Sequence, residues 1–213
     1  MPSSLRRLYR RLRYGEPIVV VSGLPRSGTS MIMKMLEAGG LPVLTDGLRA
    51  ADEDNPKGYY EVERVKNLAR ETDTSWLAEA RGKVIKVISY LLKSLPSRFN
   101  YRVVFIRREM EEVLASQRKM LARRGETEDT APERMRALFE DDLWRASYQL
   151  ERRPEFETIE LHYSAVLARP LEAAQRLAAF LGGGLDAEAM AAAVDPQLYR
   201  NRAGGARPGT ASR

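Results

Sequence analysis

Residues 23 to 30 read Gly-Leu-Pro-Arg-Ser-Gly-Thr-Ser, between an apolar run, Pro17 to Val21, and a helical pattern, Met31 to Ala38. A strand that turns tightly into a helix aims several backbone N–H groups and a helix N-terminus at one point. That makes an anion site suited to phosphate or sulfate. The spacing fits the phosphate-loop frame GxxxxGK[ST] at Gly23, Gly28 and Ser30, but Thr29 stands where the frame has lysine. Arg26, inside the loop, supplies the positive charge instead. A kinase or ATPase would be expected to keep that lysine. A second cationic candidate is Arg107-Arg108, directly after the β-branched and aromatic run Tyr101 to Ile106. Helical periodicity follows, and Ser116 falls eight residues beyond Arg108. An arginine fork can pair two phosphate oxygens, and a serine about two turns into the helix can add a hydroxyl from the same side.

These strings together resemble the PAPS-dependent sulfotransferases of bacterial type, which take a sulfuryl group from 3′-phosphoadenosine 5′-phosphosulfate. Their donor loop reads Pro-(Lys/Arg)-Ser-Gly-Thr-(Thr/Ser), matched here by Pro25, Arg26, Ser27, Gly28, Thr29 and Ser30. The resemblance implies that Arg26 touches the oxygens being transferred and that the small hydroxyl residues hold the 5′-phosphate. It implies that Arg108 and Ser116 hold the 3′-phosphate, with Arg107 the alternative if the strand register slips by one. Glu157 to Tyr163 reads as a strand, followed by a turn, Pro170 and a helix ending Phe180-Leu181-Gly182, as in the family. Tyr163 would then help seat the nucleotide. The family's acidic pair after that tyrosine is absent, since Ser164-Ala165 stand there.

For catalysis the resemblance implies Arg26 and Lys86 as charge stabilisers, Lys86 lying near the end of a strand at Lys83 to Ile88. The histidine that cytosolic members carry two residues after that lysine is replaced by Ile88. His162, the single histidine, sits beside Tyr163 and should face the other way, so it reads as structural. The proton acceptor is then a carboxylate near Arg26, with Glu61 first, then Asp46, then Glu53. Gly58 to Glu61 resembles the Gly-aromatic-aromatic-Glu element of bacterial members. The implied donor leaves adenosine 3′,5′-bisphosphate, and no metal is implied. The acceptor is a hydroxyl or amine on a small molecule, sugar, lipid or peptide. Two other readings stay open: a nucleotide-dependent kinase with an altered phosphate loop, and a non-catalytic adenosine-bisphosphate-binding protein of the same fold.

Composition sets the frame. A chain of 213 residues can bury a sizeable single core. It has no cysteine, so no disulfide framework or thiolate metal site, and no apolar run reaches the roughly 18 residues of a membrane helix. The net charge of +6 is carried by the ends: residues 1–16 hold five arginines and one glutamate, and residues 200–213 hold four arginines and no acid. That leaves a slightly acidic middle, which argues against nucleic acid as a partner. The expected location is the cytoplasm. In the N-terminal stretch Leu5, Leu8 and Leu12 share one helical face. The expectation is a solvated helix packed on the domain, with weak contact to an anionic membrane surface as the other reading.

The expected organisation is a basic segment at 1–16, an α/β domain at 17–200 and a disordered tail at 201–213. Strands are expected at 17–22, 42–44, 83–88, 101–106 and 157–163, and helices at 29–39, 60–71, 109–123 and 133–151. Two small helices close the chain, and an acidic loop runs from Thr45 to Gly58. Phe139, Trp144 and Tyr148 are expected to pack mostly on the core. Alternating strands and helices indicate an α/β, three-layer P-loop-type fold with a mainly parallel central sheet flanked by helices. In such sheets ligands sit at the carboxyl ends of the strands. Gly23, Arg108 and Tyr163 all follow strands, so they should meet at that edge.

Overall fold

The computed structural model describes residues 3–46, 60–123, 125 and 130–195. Strands β1 (Pro17–Ser22), β2 (Val84–Lys86), β3 (Asn100–Arg107) and β4 (Phe156–His162) form one sheet in the order β2-β1-β3-β4. All three pairings are parallel, with Val21 opposite both Lys86 and Val104, and Val104 opposite Ile159. Every carboxyl end therefore lies on one edge.

The α-helices are α1 (Ser3–Tyr14), α2 (Thr29–Ala38), α3 (Glu63–Lys66), α4 (Met110–Arg123), α5 (Pro132–Arg152), α6 (Tyr163–Ala168), α7 (Pro170–Leu181) and α8 (Ala187–Ala192). Two 3₁₀ segments, Ser75–Ala80 and Ser89–Ser94, lie before and after β2. Strand alternation divides the core in two. Ile18, Val20, Tyr101, Val103 and Phe105 join Leu77, Leu91, Leu92 and Ala146 on the α5 face. Val19, Val21, Val104 and Ile106 join Ile32, Met33, Leu36, Val166 and Leu177 on the face covered by α2, α6 and α7. The central strands β1 and β3 are thus buried on both sides, as a parallel sheet requires. Each fully buried Leu, Ile or Val contributes about 1.5–3 kcal/mol.

Several local expectations give way. The strand at 42–44 is a single bridge, Val43 to Val84, and the strand at 83–88 is only the three residues of β2. The helix at 60–71 shrinks to α3. Its apolar residues Val62, Val65 and Leu68 recur every third position, and one helical turn plus hydrogen-bonded turns buries all three. Among the described residues three helices, not two, follow β4. Trp144 and Tyr148 stack on each other at 6.0 Å on the outside of α5, 67% and 51% exposed, instead of packing on the core. The loop 47–59, Glu53 and the tail 201–213 lie outside the described residues.

Candidate functional site

The loop joining β1 to α2 is shaped by backbone conformation. Gly23 and Gly28 take φ of +156° and +107°, and Arg26 takes φ +67°, a region that non-glycine residues seldom occupy. Close approach fixes the glycines as well. A Cβ on Gly23 would come within 2.5 Å of the Ile106 carbonyl oxygen, and one on Gly28 within 2.4 Å of Tyr163 Cδ2. Strain held in a loop by its surroundings marks a place where geometry matters more than local stability. α2 starts at Thr29 with Gly28 as N-cap, and no side chain caps it. Its first N–H groups have no intrahelical acceptor and carry the positive end of the helix dipole. The hydroxyls of Ser22 and Ser27 are buried without a hydrogen-bond partner among the described residues. Ser27 Oγ lies toward Gly23, and Pro25 and Arg26 form the half-exposed crest of the loop.

Arg108 approaches this loop from the end of β3. Its Nη1 donates to the Arg26 carbonyl at 3.1 Å, and its guanidinium lies 4.3 Å from the centre of the Tyr163 ring. Its Nε donates to Glu112 Oε2 at 2.9 Å. Both partners of that pair are almost wholly buried, with side chains 8% and 3% exposed. Ser116, one helical turn beyond Glu112, accepts from Arg26 Nε at 3.1 Å. Burial pushes the Tyr163 phenol up, with Arg108 opposing, so it stays protonated and able to donate. Residues from β1–α2, the end of β3, α4 and α6 thus interlock at one corner of the sheet's carboxyl edge.

The near-alternative Arg107 goes elsewhere. It continues the α5 face of β3, donates to Ser147 Oγ at 2.8 Å and pairs with Glu160 at 2.7 Å. On the same face Ser89, whose N–H donates to the Gly23 carbonyl, donates its hydroxyl to Asp142 Oδ2 at 2.5 Å. Burial raises the Asp142 carboxyl.

Lys86 ends β2, beside β1. Its Nζ lies 3.5 Å from Glu61 Oε1, and Lys66 Nζ lies 3.5 Å from Glu61 Oε2. Two cations therefore hold one carboxylate. Asp46 accepts from the backbone N–H of Glu63 and so caps the start of α3. Of the three carboxylate candidates, Glu61 is the one beside Lys86, Asp46 serves the backbone, and Glu53 lies outside the described residues. His162 is 63% exposed and 3.9 Å from Glu160, on the other side of the chain from buried Tyr163.

Glu112, Ser89 and Asp142 were not candidates on sequence grounds. The signal for Glu112 was present as an Arg108–Glu112 pair at helical i, i+4 spacing. The Ser89–Asp142 contact joins residues 53 positions apart, and no local pattern announces it. Among the described residues, no group of three or more His, Asp or Glu side chains could hold a metal, and no helix is long and apolar enough to cross a membrane.

No family model matches the sequence, and no curated protein matches it. Solved structures do match the fold. The sulfotransferase domain from the curacin biosynthetic pathway superposes with a TM-score of 0.53 at 14% identity, covering 90% of this chain and 93% of that one. A sulfotransferase from Alicyclobacillus acidocaldarius superposes with a TM-score of 0.51 at 16% identity, covering 79% of this chain and 81% of that one. At these identities the likeness speaks for the fold, and with its parallel four-stranded sheet and flanking helices this chain has the sulfotransferase fold.

Proposed function

We propose that this protein is a sulfotransferase that binds PAPS and moves its sulfuryl group to a hydroxyl or amine. One observation carries the reading: Arg108, Arg26, Ser116, Gly28 and Tyr163, from four separate elements, interlock at the carboxyl edge of the sheet. The uncapped start of α2 and the partnerless Ser27 hydroxyl suit a phosphate at the loop. Arg108 and Ser116 suit a second phosphate on the α4 side, as a 3′,5′-bisphosphate demands.

PAPS, when bound, would supply an activated sulfuryl group whose S–O bond to the 5′-phosphate breaks as the acceptor bond forms. The chain's part is positioning and electrostatics. Backbone N–H groups of Gly28, Thr29 and Ser30 orient the 5′-phosphate. Arg26 and Lys86 stabilise charge that builds on the oxygens around the reacting centre. Glu61, set between Lys86 and Lys66, takes the acceptor's proton. Tyr163 seats the nucleotide and fixes the plane of Arg108.

Calorimetry with adenosine 3′,5′-bisphosphate beside ATP and ADP tests the donor site. Tight binding of the bisphosphate alone is expected. Preference for ATP, or no nucleotide binding, would overturn the reading. Turnover of PAPS across a panel of alcohols, phenols and amines then tests catalysis, and Glu61→Gln should lower turnover at least about 100-fold while bisphosphate affinity holds.

A further inference from the structure

α1 turns its charged side inward and its apolar side outward. Arg10 is 2% exposed and donates to Asn100 Oδ1 at 2.8 Å and to the Tyr101 carbonyl at 3.1 Å, with further bonds to the carbonyls of Pro154 and Glu155. Arg7 donates to Glu157 Oε1 and to the Phe180 carbonyl, each at 3.0 Å. These guanidinium clamps fix the helix to the ends of β3, β4 and α7. The opposite side carries Leu5, Leu8, Tyr9 and Leu12, which are 54%, 55%, 60% and 79% exposed. Their i, i+3, i+4, i+7 spacing makes one continuous stripe. Helical geometry sets the exposed Arg11 and Arg13 on its two flanks; the helix itself contains no acidic residue, and Arg11 lies 3.7 Å from exposed Glu16 just beyond its end.

We propose that α1 is a docking helix for an anionic lipid surface. Charge complementarity selects this occupant. Leucines flanked by arginines suit an acyl boundary beneath negatively charged headgroups, which attract surface arginines. Tyr9 has the apolar body and polar tip that suit the headgroup zone. A second copy of the helix laid on the stripe would set Arg11 and Arg13 against their own kind. Because Arg7 and Arg10 already hold the helix to the domain, docking requires no new ordering of the backbone. α1 lies against the starts of β3 and β4, at the sheet end opposite the phosphate loop, so a docked domain keeps that loop away from the surface. The inference does not depend on the sulfotransferase reading.

The test is sedimentation of the full chain with phosphatidylcholine vesicles, with and without about 30% phosphatidylglycerol. The expected result is partition onto the anionic vesicles that falls with added salt, drops at least about tenfold in the Leu8→Ser/Leu12→Ser double variant, and also drops in Arg11→Gln/Arg13→Gln. The leucines face outward, so an unchanged melting temperature should show that the first variant is folded. No binding to anionic vesicles would overturn the proposal. So would binding that survives loss of the leucines. A lipid-free dimer dispersed by the leucine variant, with no vesicle binding, would assign the stripe to self-association and also overturn it.

Discussion

Arg107 and Arg108 leave β3 as neighbours and finish on opposite faces of the sheet. On one face, Arg108 meets Glu112, the Arg26 carbonyl and the Tyr163 ring in a nearly dry corner. On the other, Arg107 meets Ser147 and Glu160 under α5, with its side chain 29% exposed. Two residues of one type, one position apart, differ because successive strand residues point to opposite faces. The Arg108 corner is locked by a nearly dry ion pair and by contacts that join separate elements of the chain. The α5 face is built from polar contacts nearer to solvent. The difference predicts where substitution will touch ligand binding and where it will touch only stability.

The largest contrast should come from the arginines themselves. Arg108→Ala is expected to weaken adenosine 3′,5′-bisphosphate binding by about 100-fold or more by calorimetry, the loss of a fork of charge-assisted hydrogen bonds. Arg107→Ala should stay within about threefold. Equal losses at the two positions would erase the distinction between the faces.

Gly28→Ala tests the same corner through the backbone. The new Cβ must displace the Tyr163 ring, which carries Arg108, and must also adopt φ near +107°. A loss of about 1–3 kcal/mol in urea unfolding is expected, together with weaker bisphosphate binding. Wild-type values in both measurements would mean that the loop and Tyr163 are not coupled.

Glu112→Gln sharpens the comparison inside the corner. The amide oxygen can still accept from Arg108, but the buried guanidinium loses its counter-charge. The ligand-free protein should melt several degrees lower, since breaking one side of a buried pair is costly. A bound bisphosphate replaces the missing negative charge, so the melting-temperature gain on adding it should exceed the wild-type gain. A smaller gain would show that Glu112 helps to hold ligand rather than standing in for its charge.

The smallest effect belongs to the α5 face. The folded-state pKa of Asp142 is raised by burial, so this group favours folding most at low pH, and that benefit is lost as pH rises from the unfolded value of 3.8 through the folded one. Asp142→Asn keeps an acceptor for Ser89 without the charge. Its stability relative to wild type should therefore be slightly higher at neutral pH and should lose that advantage toward pH of about 4. Unfolding curves at several pH values check the sign, and a variant less stable at neutral pH would refute it.

Much of the Arg108 corner's geometry was legible because its signals are local. Gly-bounded turns, a helix start and the arginine after a strand depend on neighbours within a few residues. Their meeting point followed from parallel strands sharing one carboxyl edge. The other corner was less legible. That Glu61 rather than Asp46 stands beside Lys86 depends on how the chain after residue 60 returns to β2, and Asp46 is drawn away to cap α3. The outward turn of Trp144 and Tyr148 was not legible at all, because an aromatic residue on an amphipathic helix carries no mark of whether a neighbour will cover it.

By itself, the sequence determined the alternation of strands and helices, the Gly-bounded loop and the two arginines at the end of β3, because backbone preference and side-chain periodicity act over short spans. Only the tertiary structure decided which arginine faces the loop, which carboxylate meets Lys86 and which side of α1 faces outward. Those outcomes depend on strand register and on partners distant in sequence, and a side chain's partner is fixed only once packing has brought the two together.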